Sequence, residues 1–156
     1  MSGYALVPRV LGIDFGQARI GVAVSDELGM LAHPVETIPG GNVATAAKRI
    51  AEIARDKKVA RVILGLPRHM NGAAGIAAEN VKAFAAKLAP LLPCAIELWD
   101  ERLSTTAANR ALRDGGVKTR QTRGIVDQVA AQMILQSYLD SRQSLHSPAA
   151  EIPPRD

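Results

Sequence analysis

Three acidic residues, Asp14, Glu101 and Asp127, occupy positions from which a fold could bring their carboxylates together. Asp14 lies at the end of an apolar run that starts at Val10, the strongest strand signal in the chain. A charged group inside such a strand is costly unless it is paired or binds a metal ion. Glu101 follows another strand-like segment, and Asp127 opens a late apolar helix. Together, the three carboxylates predict a metal-dependent phosphodiesterase.

Carboxylates suit this chemistry because they hold the divalent ions that phosphodiester hydrolysis uses. Two ions about 3.5–4 Å apart generate the attacking hydroxide, neutralise the phosphate oxygens and stabilise the leaving alkoxide. Mg²⁺ prefers oxygen ligands from carboxylates, water and the substrate phosphate. We therefore expect two Mg²⁺ or Mn²⁺ ions, with Asp14 bridging them and with Glu101 and Asp127 each holding one.

Each acid also has an explanation that involves no catalysis. Asp14 could be an acid of a hairpin turn, whereas Glu101 and Asp127 could lie at helix starts, where the helix dipole favours negative charge. Asp100 competes with Glu101 for the metal site. Neighbouring residues of a strand face opposite sides of the sheet, so only one of these two acids is expected to face the ions.

Basic residues are found in the same parts of the chain as the acids. Lysine and arginine supply the attraction to phosphate that does not depend on base sequence. Residues 118–123 are interpreted as a basic loop leading to Asp127, whereas Arg110 and Arg113 fit a solvated helix face about as well. The predicted nucleic-acid contacts are Arg19, Arg68, Arg102, Lys118, Arg120 and Arg123.

The composition restricts the class of protein. A chain of 156 residues is long enough for one domain with a substantial core. Aromatic residues are 3% of the chain, too few for a surface on which single-stranded bases stack. The formal net charge of +4 is compatible with nucleic acid as a partner. The single cysteine, Cys94, excludes an internal disulfide and a cysteine-based zinc site.

The sequence shows no signal for a membrane partner. No apolar run approaches the ~20 residues that a membrane-spanning helix needs. The N-terminus lacks the charged-then-apolar pattern of a secretory signal. We therefore expect a cytoplasmic protein.

The elements that position the acids form one α/β domain. A hairpin of two strands turns near Gly16, and an edge strand follows in which Pro34 is tolerated at an edge or bulge. Strand–helix–strand units then predict parallel strands with right-handed crossovers. The expected order is β-β-β-α-β-α-β-α-α, a mixed sheet of three antiparallel strands and then two parallel crossover strands, covered by helices. These helices are expected at about 43–57, 75–91 and 125–138, with a further helix that Ser104 caps and that ends before Gly115.

This order bears on the site and on the domain boundary. In mixed sheets, sites form at the carboxyl ends of strands, where Asp14 and Glu101 are expected. The folded domain is predicted to span residues 1–141. Residues 142–156 are rich in Gln, Ser, Pro and charge, so we expect a disordered tail.

Five segments carry a resemblance to a known family, and the similarity runs in order from about residue 9 to 139. They are Gly12-Ile13-Asp14-Phe15-Gly16, Ile20-Gly21-Val22-Ala23-Val24-Ser25-Asp26, Gly65-Leu66-Pro67, Asp100-Glu101-Arg102-Leu103-Ser104-Thr105 and Val126-Asp127. They resemble the YqgF/RuvX family, whose members are described as Holliday junction resolvases or pre-16S rRNA processing nucleases. The resemblance implies an RNase H-like fold and catalytic acids at Asp14, Glu101 and Asp127.

One position departs from the family pattern. Many sequences of the family have Thr-Lys or Ser-Lys at the position where this chain has Gln17-Ala18. If that lysine contacts phosphate in relatives, Arg19 carries the charge alone here or the contact is missing. The set of three acids is unchanged, so the departure concerns the grip on substrate and leaves the expected chemistry in place.

Several functions remain open at this point. We favour a metal-dependent endonuclease that processes the 5′ end of pre-16S rRNA; the alternatives are a Holliday junction resolvase acting on branched DNA and a non-catalytic RNA-binding assembly factor. A sugar-kinase type of phosphotransferase needs a duplicated domain and a second phosphate loop, which this chain lacks.

A junction resolvase normally needs a two-fold dimer. The apolar faces of the Ala-rich helices are expected to cover the sheet, so we expect a monomer or weak homodimer and structured RNA rather than branched DNA.

Overall fold

The computed structural model describes residues 8–16, 18–66, 72–100 and 120–146. The strands are β1 (Arg9–Phe15), β2 (Arg19–Ser25), β3 (Ala32–Pro39), β4 (Val59–Leu66) and β5 (Ala95–Asp100). The helices are α1 (Val43–Asp56), α2 (Gly72–Leu88) and α3 (Arg120–His146), and a short 3-10 helix, Ala89–Leu91, follows α2.

A five-stranded mixed sheet, in the order β3-β2-β1-β4-β5, forms the centre of the fold. Strand β2 pairs antiparallel with both β1 and β3, whereas β4 pairs parallel with β1 and with β5. This arrangement confirms the predicted sheet of three antiparallel strands followed by two parallel crossover strands. The register between β2 and β3 shifts after Val22, beside Pro34, and β3 is an edge strand, as the proline requires.

One face of the sheet is packed with large aliphatic side chains against α1 and α2. Side chains alternate along a strand, which places Leu11 and Ile13 of β1 on this face together with Ile20 and Val22 of β2. All four are fully buried in one cluster that also contains Ile50 of α1. This face is the larger part of the hydrophobic core.

The opposite face is covered by α3 and carries small residues at the centre of β1 and β2. Gly12 and Ala23 pair across β1 and β2 on this face. A Cβ added at Gly12 would lie 2.6 Å from the Cβ of Leu135 and 3.2 Å from the carbonyl oxygen of Ala131. The backbone of α3 therefore lies directly on the sheet, at a distance that a larger side chain at position 12 would prevent.

Three glutamines spaced four residues apart fasten α3 to the edge strand β3. The side chain of Gln128 donates to the Thr37 hydroxyl at 3.1 Å. The side chain of Gln132 donates to the carbonyl of Ala32 at 2.9 Å. The side chain of Gln136 accepts from the backbone N–H of Ala32, also at 2.9 Å. Residues four apart lie along one side of a helix, so the three contacts fix the position of α3 along β3.

Helix α3 begins earlier than the sequence predicts. Its first residue is Arg120, before the predicted start at residue 125. The loop predicted over residues 118–123 is therefore wrong from Arg120 onward. Once the buried part of α3 is ordered on the sheet, each further residue gains a hydrogen bond without a new nucleation cost, so a polar first turn can be helical.

Helix α3 also ends later than expected. It continues to His146, so the domain boundary predicted at residue 141 falls inside the helix, and residues 142–146 are helical. The remainder of the predicted tail, residues 147–156, and the helix predicted between Ser104 and Gly115 lie outside the described residues. Within the described part of the chain, no helix is both long and apolar enough to cross a membrane.

Candidate active site beneath helix α3

Asp14 lies near the carboxyl end of the central strand β1, on the face that α3 covers. It pairs with Gly21 of β2, and only 2% of its surface is exposed. The pairing continues one step further, between Phe15 and Ile20, so Asp14 belongs to the strand ladder and not to the turn. Its interpretation as an acid of a hairpin turn is therefore wrong.

Asp127 approaches the same place from the helix. It is 4% exposed, and its backbone lies against Gly21, where an added Cβ would collide with the carbonyl oxygen of Asp127. Glycine at position 21 is what allows this approach. Since Asp14 is the partner of Gly21 across the strands, the two acids converge on one glycine, one from the sheet and one from the helix.

The position of Asp127 within α3 also excludes the simplest explanation for its charge. An acid is stabilised by the helix dipole only within the first turn of the helix. Because α3 begins at Arg120, Asp127 lies about two turns further along. Its burial must be compensated by specific neighbours instead.

One such neighbour is Arg19, the first residue of β2. Its Nε donates a hydrogen bond to Oδ2 of Asp127 at 2.6 Å, and the side chains are 31% and 5% exposed, respectively. Arg19 and Gly21 are two residues apart on a strand, so they share the face beneath α3. A short, charge-assisted hydrogen bond of this kind stabilises a buried carboxylate. The residue that the sequence predicts as a phosphate contact is thus held by an acid of the candidate site.

Strand β5 brings the third acidic segment to the same end of the sheet. Trp99 packs with the cluster beneath α3, whereas Ile96 packs with the cluster beneath α1 and α2. By alternation, Asp100 lies on the face of Ile96, opposite to the face of Asp14. Asp100 is therefore a poor competitor for a place beside Asp14 and Asp127.

The structure displays only part of the predicted site. Six predicted residues lie outside the described residues or have side chains there: Glu101, Arg68, Arg102, Lys118, Arg120 and Arg123. Among the described residues, no group of three or more His, Cys, Asp or Glu side chains could hold a metal ion. What the structure brings together is Asp14, Asp127 and Arg19.

Two surface cavities lie away from these acids. A cavity of about 200 Å³ is lined in part by Phe15 and Phe84, on the face of α1 and α2. A larger one, of about 680 Å³, lies at the other end of the sheet and includes Arg9. Neither lining includes Asp14 or Asp127. The candidate site is therefore identified by its buried charges and not by the size of a cavity.

The sequence analysis did not identify the residues that fix the position of α3 on the sheet. Gly12 and Gly21 interrupt two apolar strands, and a glycine inside a strand is a known signal of close approach by another backbone. The spacing of Gln128, Gln132 and Gln136 is a second signal, because it gives an otherwise apolar helix one polar side. Both signals are visible in the sequence, but neither states which strand the helix covers.

The fold resembles that of a solved structure. T. thermophilus RuvC in complex with a Holliday junction substrate superposes with a TM-score of 0.55 at 13% identity, and the match covers 88% of this chain and 96% of that chain. At so low an identity, the likeness establishes the fold alone. The mixed sheet with its covering helices is therefore of the RNase H-like α/β class, which confirms the predicted fold class.

The chain belongs to the RuvX family, described as Holliday junction resolvase, whose model matches residues 8–141. This membership confirms the family that the sequence motifs indicate and the predicted enzyme class, a hydrolase acting on phosphodiester bonds. A relative from Nocardia farcinica is 50% identical over 144 residues, covering 88% of this chain and 80% of the relative. Another, from Halalkalibacterium halodurans, is 42% identical over 137 residues, covering 86% and 98%. Both bear the name "Putative pre-16S rRNA nuclease".

Proposed function

We propose that this protein is a metal-dependent endonuclease in which Asp14, Glu101 and Asp127 hold two Mg²⁺ or Mn²⁺ ions. The observation that carries the proposal is that two almost fully buried acidic residues lie against Gly21, Asp14 as its partner in the strand ladder and Asp127 through its backbone. Two buried acids contributed by different elements are costly to fold, and a bound cation would offset that cost. Carboxylate oxygens are ligands that suit Mg²⁺ and Mn²⁺.

Glu101 is proposed as the third metal ligand because of its place in the chain. It directly follows β5, whose last residue, Asp100, lies on the wrong face of the sheet. The alternation that removes Asp100 from the face of Asp14 favours the neighbouring acid. This choice is also the one that the resemblance to the family implies.

The chain's own residues have distinct tasks in this proposal. The ions would supply the attacking hydroxide and neutralise the phosphate. Asp14 would hold them from the rigid central strand, and Asp127 from the helix that Gly21 allows to approach. This seating keeps the two carboxylates at a fixed separation, which is what precise placement of reacting groups requires. The substrate backbone would be bound by Arg19, Arg68, Arg102, Lys118, Arg120 and Arg123.

We propose pre-16S rRNA as the substrate, with cleavage at its 5′ end. The choice of this RNA is supported by relatives that are named pre-16S rRNA nucleases and are 42–50% identical to this chain over most of its length. Structured RNA is then the favoured partner, and the protein would act in the cytoplasm, where ribosomal precursors mature in bacteria. The family description favours one alternative, a Holliday junction resolvase acting on branched DNA.

A monomer or a weak homodimer fits single cuts in an RNA precursor. Among the described residues, the exposed large apolar side chains include Leu28, Met30 and Leu31, in the turn between β2 and β3. These three side chains are few compared with the large, hydrophobic interface of an obligate dimer. Symmetric cutting of a four-way junction, by contrast, normally calls for a two-fold dimer with paired sites.

Cleavage assays test the choice of substrate. With Mg²⁺ or Mn²⁺, the purified protein is expected to cut a precursor 16S rRNA transcript in preference to a synthetic four-way DNA junction. Salt must be matched, because ionic strength alone changes the affinity for nucleic acid. Paired, symmetric nicks in the junction with the RNA intact would assign the alternative function. RNA binding without cleavage of either substrate would identify a non-catalytic assembly factor.

Replacing Asp14 by Asn tests the site within the same assay. Cleavage is expected to fall by at least about a hundredfold, because the bridging ligand of the metal ions is lost. The fold is expected to stay intact, since removing one of two clustered negative charges relieves repulsion. Asp100→Asn is the matched control and should cleave at close to the wild-type rate. A wild-type rate and unchanged metal dependence in Asp14→Asn would show that the proposed site is wrong.

A further inference from the structure

We infer that Arg19 is a built-in competitor for the carboxylate of Asp127, so that metal binding at the candidate site exchanges a guanidinium for a divalent ion. Arg19 would thereby lower the affinity of the site for metal and become available to the substrate only when metal is bound. The inference rests on the proposed metal-dependent function and deepens it.

The geometry of the ion pair supports an exchange. Nε of Arg19 lies 2.6 Å from Oδ2 of Asp127, one of the two oxygens through which this carboxylate could hold a metal ion. Two cations on one carboxylate repel each other, so ion and guanidinium compete. An arginine side chain does not lose its proton in proteins, so it can yield only by moving. Its side chain is 31% exposed, which gives it a direction in which to move.

A second arginine shows what an ordinary structural ion pair looks like in this fold. Arg49 of α1 donates to both carboxylate oxygens of Glu36 on β3, at 2.7 and 2.9 Å, and both side chains are about one-third or more exposed. The carboxylate held by Arg19, by contrast, is 5% exposed and lies on the face of another buried acid, Asp14. Arg19 therefore supplies positive charge where two acids gather, which is the charge that metal ions would bring.

The exchange also reconciles the two tasks of Arg19. The sequence predicts a phosphate contact, whereas the structure shows the side chain bound to Asp127. A metal ion that displaces the guanidinium would release it on the same face of the sheet, beside the ions that bind the substrate phosphate. Binding free energies are linked reciprocally, so metal and nucleic acid are then expected to strengthen each other's binding through Arg19.

Mn²⁺ titration by calorimetry, without nucleic acid, tests the inference on three variants. Arg19→Gln is expected to bind Mn²⁺ about tenfold more tightly than the wild type, because a charge-assisted hydrogen bond to the ligand is gone. Arg19→Lys should lie between the two, since lysine keeps the charge but not the planar fork. Arg49→Gln, which breaks the ion pair on the other face, is the matched control and should leave the affinity unchanged.

Thermal unfolding provides a second readout. Without metal, Arg19→Gln is expected to melt at a lower temperature than the wild type, and its gain on addition of Mn²⁺ should be larger, because a tighter ligand stabilises more. Loss of a purely structural ion pair would lower the melting temperature without enlarging that gain. If Arg19→Gln does not fold, Arg19→Lys decides by the same two comparisons.

The outcomes separate this inference from the proposed function. If neither the wild type nor Arg19→Gln binds Mn²⁺, the metal-dependent function itself fails. If the wild type binds Mn²⁺ and the Arg19 variants bind it with equal or lower affinity, Arg19 is not a competitor, while the metal site stands. Tighter binding by Arg49→Gln as well would show a general effect of net charge and would also overturn the inference.

Discussion

The two faces of the central sheet are built in opposite ways from the same strands. On β1, Leu11 and Ile13 point into the bulky cluster beneath α1 and α2, whereas Gly12 and Asp14 alternate with them on the face of α3. The face beneath α1 and α2, here called the thick face, excludes water with large side chains. The face beneath α3, here called the thin face, has only small residues at Gly12, Gly21 and Ala23, so that a helix backbone can lie on the sheet and bring Asp127 close to β1 and β2. The larger part of the hydrophobic core and the proposed chemistry thus lie on different sides of one layer.

The ion pairs repeat this contrast. The pair between Arg49 and Glu36 joins α1 to β3 at the surface, where exposed pairs contribute little to stability. The pair between Arg19 and Asp127 joins β2 to α3 around a buried carboxylate. Breaking the first pair removes a modest attraction, whereas breaking the second removes a charge-assisted hydrogen bond from a buried carboxylate.

The largest effect is expected from adding one methyl group to the thin face. In Gly21→Ala, the new Cβ would collide with the carbonyl oxygen of Asp127, so α3 must shift away from β2. We expect the free energy of unfolding to fall by about 3 kcal/mol, because a backbone oxygen cannot rotate aside as a side chain would. Urea unfolding measures the loss, and cleavage should fall with it as Asp127 is displaced.

Gly41→Ala is the matched control for this substitution. A Cβ at position 41 meets no atom within 4 Å, so stability should change little. If Gly21→Ala were as stable and as active as Gly41→Ala, the close seating of α3 would not be needed to hold Asp127.

The sequence predicts the thick face better than the thin one. Continuous apolar runs such as 10–13 and 20–24 indicate buried strands, and these strands are present. The acids are also identifiable, because a carboxylate such as Asp14 is conspicuous in an apolar strand. The pairing of Arg19 with Asp127 is not, since these residues are 108 positions apart and no local pattern fixes how α3 lies on β2. The early start of α3 was missed for the same reason, because packing on the sheet and not local propensity decides it.

A medium effect is expected from the glutamines that hold α3 at the edge strand. Gln136 accepts from the backbone N–H of Ala32, which is 3% exposed, and donates to the carbonyl of Met30 at 2.8 Å. Gln136→Met should lower the free energy of unfolding by about 1–3 kcal/mol, because it removes the acceptor of a buried backbone donor.

Gln128→Met provides the comparison within the same series. Its side chain contacts the hydroxyl of Thr37, which can turn to other partners, so the loss should be about 0.5 kcal/mol. Both variants are compared by urea unfolding at neutral pH. Equal losses would mean that the glutamines act only through general packing, without a special role for the edge of β3.

The smallest effect is expected from the ion pair on the thick face, and it should depend on pH. Hydrogen bonds from Arg49 hold the pKa of Glu36 below its ordinary value. A lowered pKa in the folded state gives stability that is complete above the ordinary pKa of the carboxyl and is lost as pH falls through the lowered value. Since both partners are partly exposed, Glu36→Gln should cost only about 0.5 kcal/mol at pH 7.

Urea unfolding at pH 7 and pH 3 checks this expectation, since the difference between wild type and Glu36→Gln should shrink toward the acid end. Addition of Mn²⁺ should leave that difference unchanged, because the thick face carries none of the proposed ligands. The two ion pairs are thus expected to differ. The contribution of the pair at Arg49 should respond to acid and not to metal, whereas that of the pair at Arg19 should respond to metal. If the stability difference between wild type and Glu36→Gln grew toward pH 3, or changed with Mn²⁺, the proposed separation of the two faces would be contradicted.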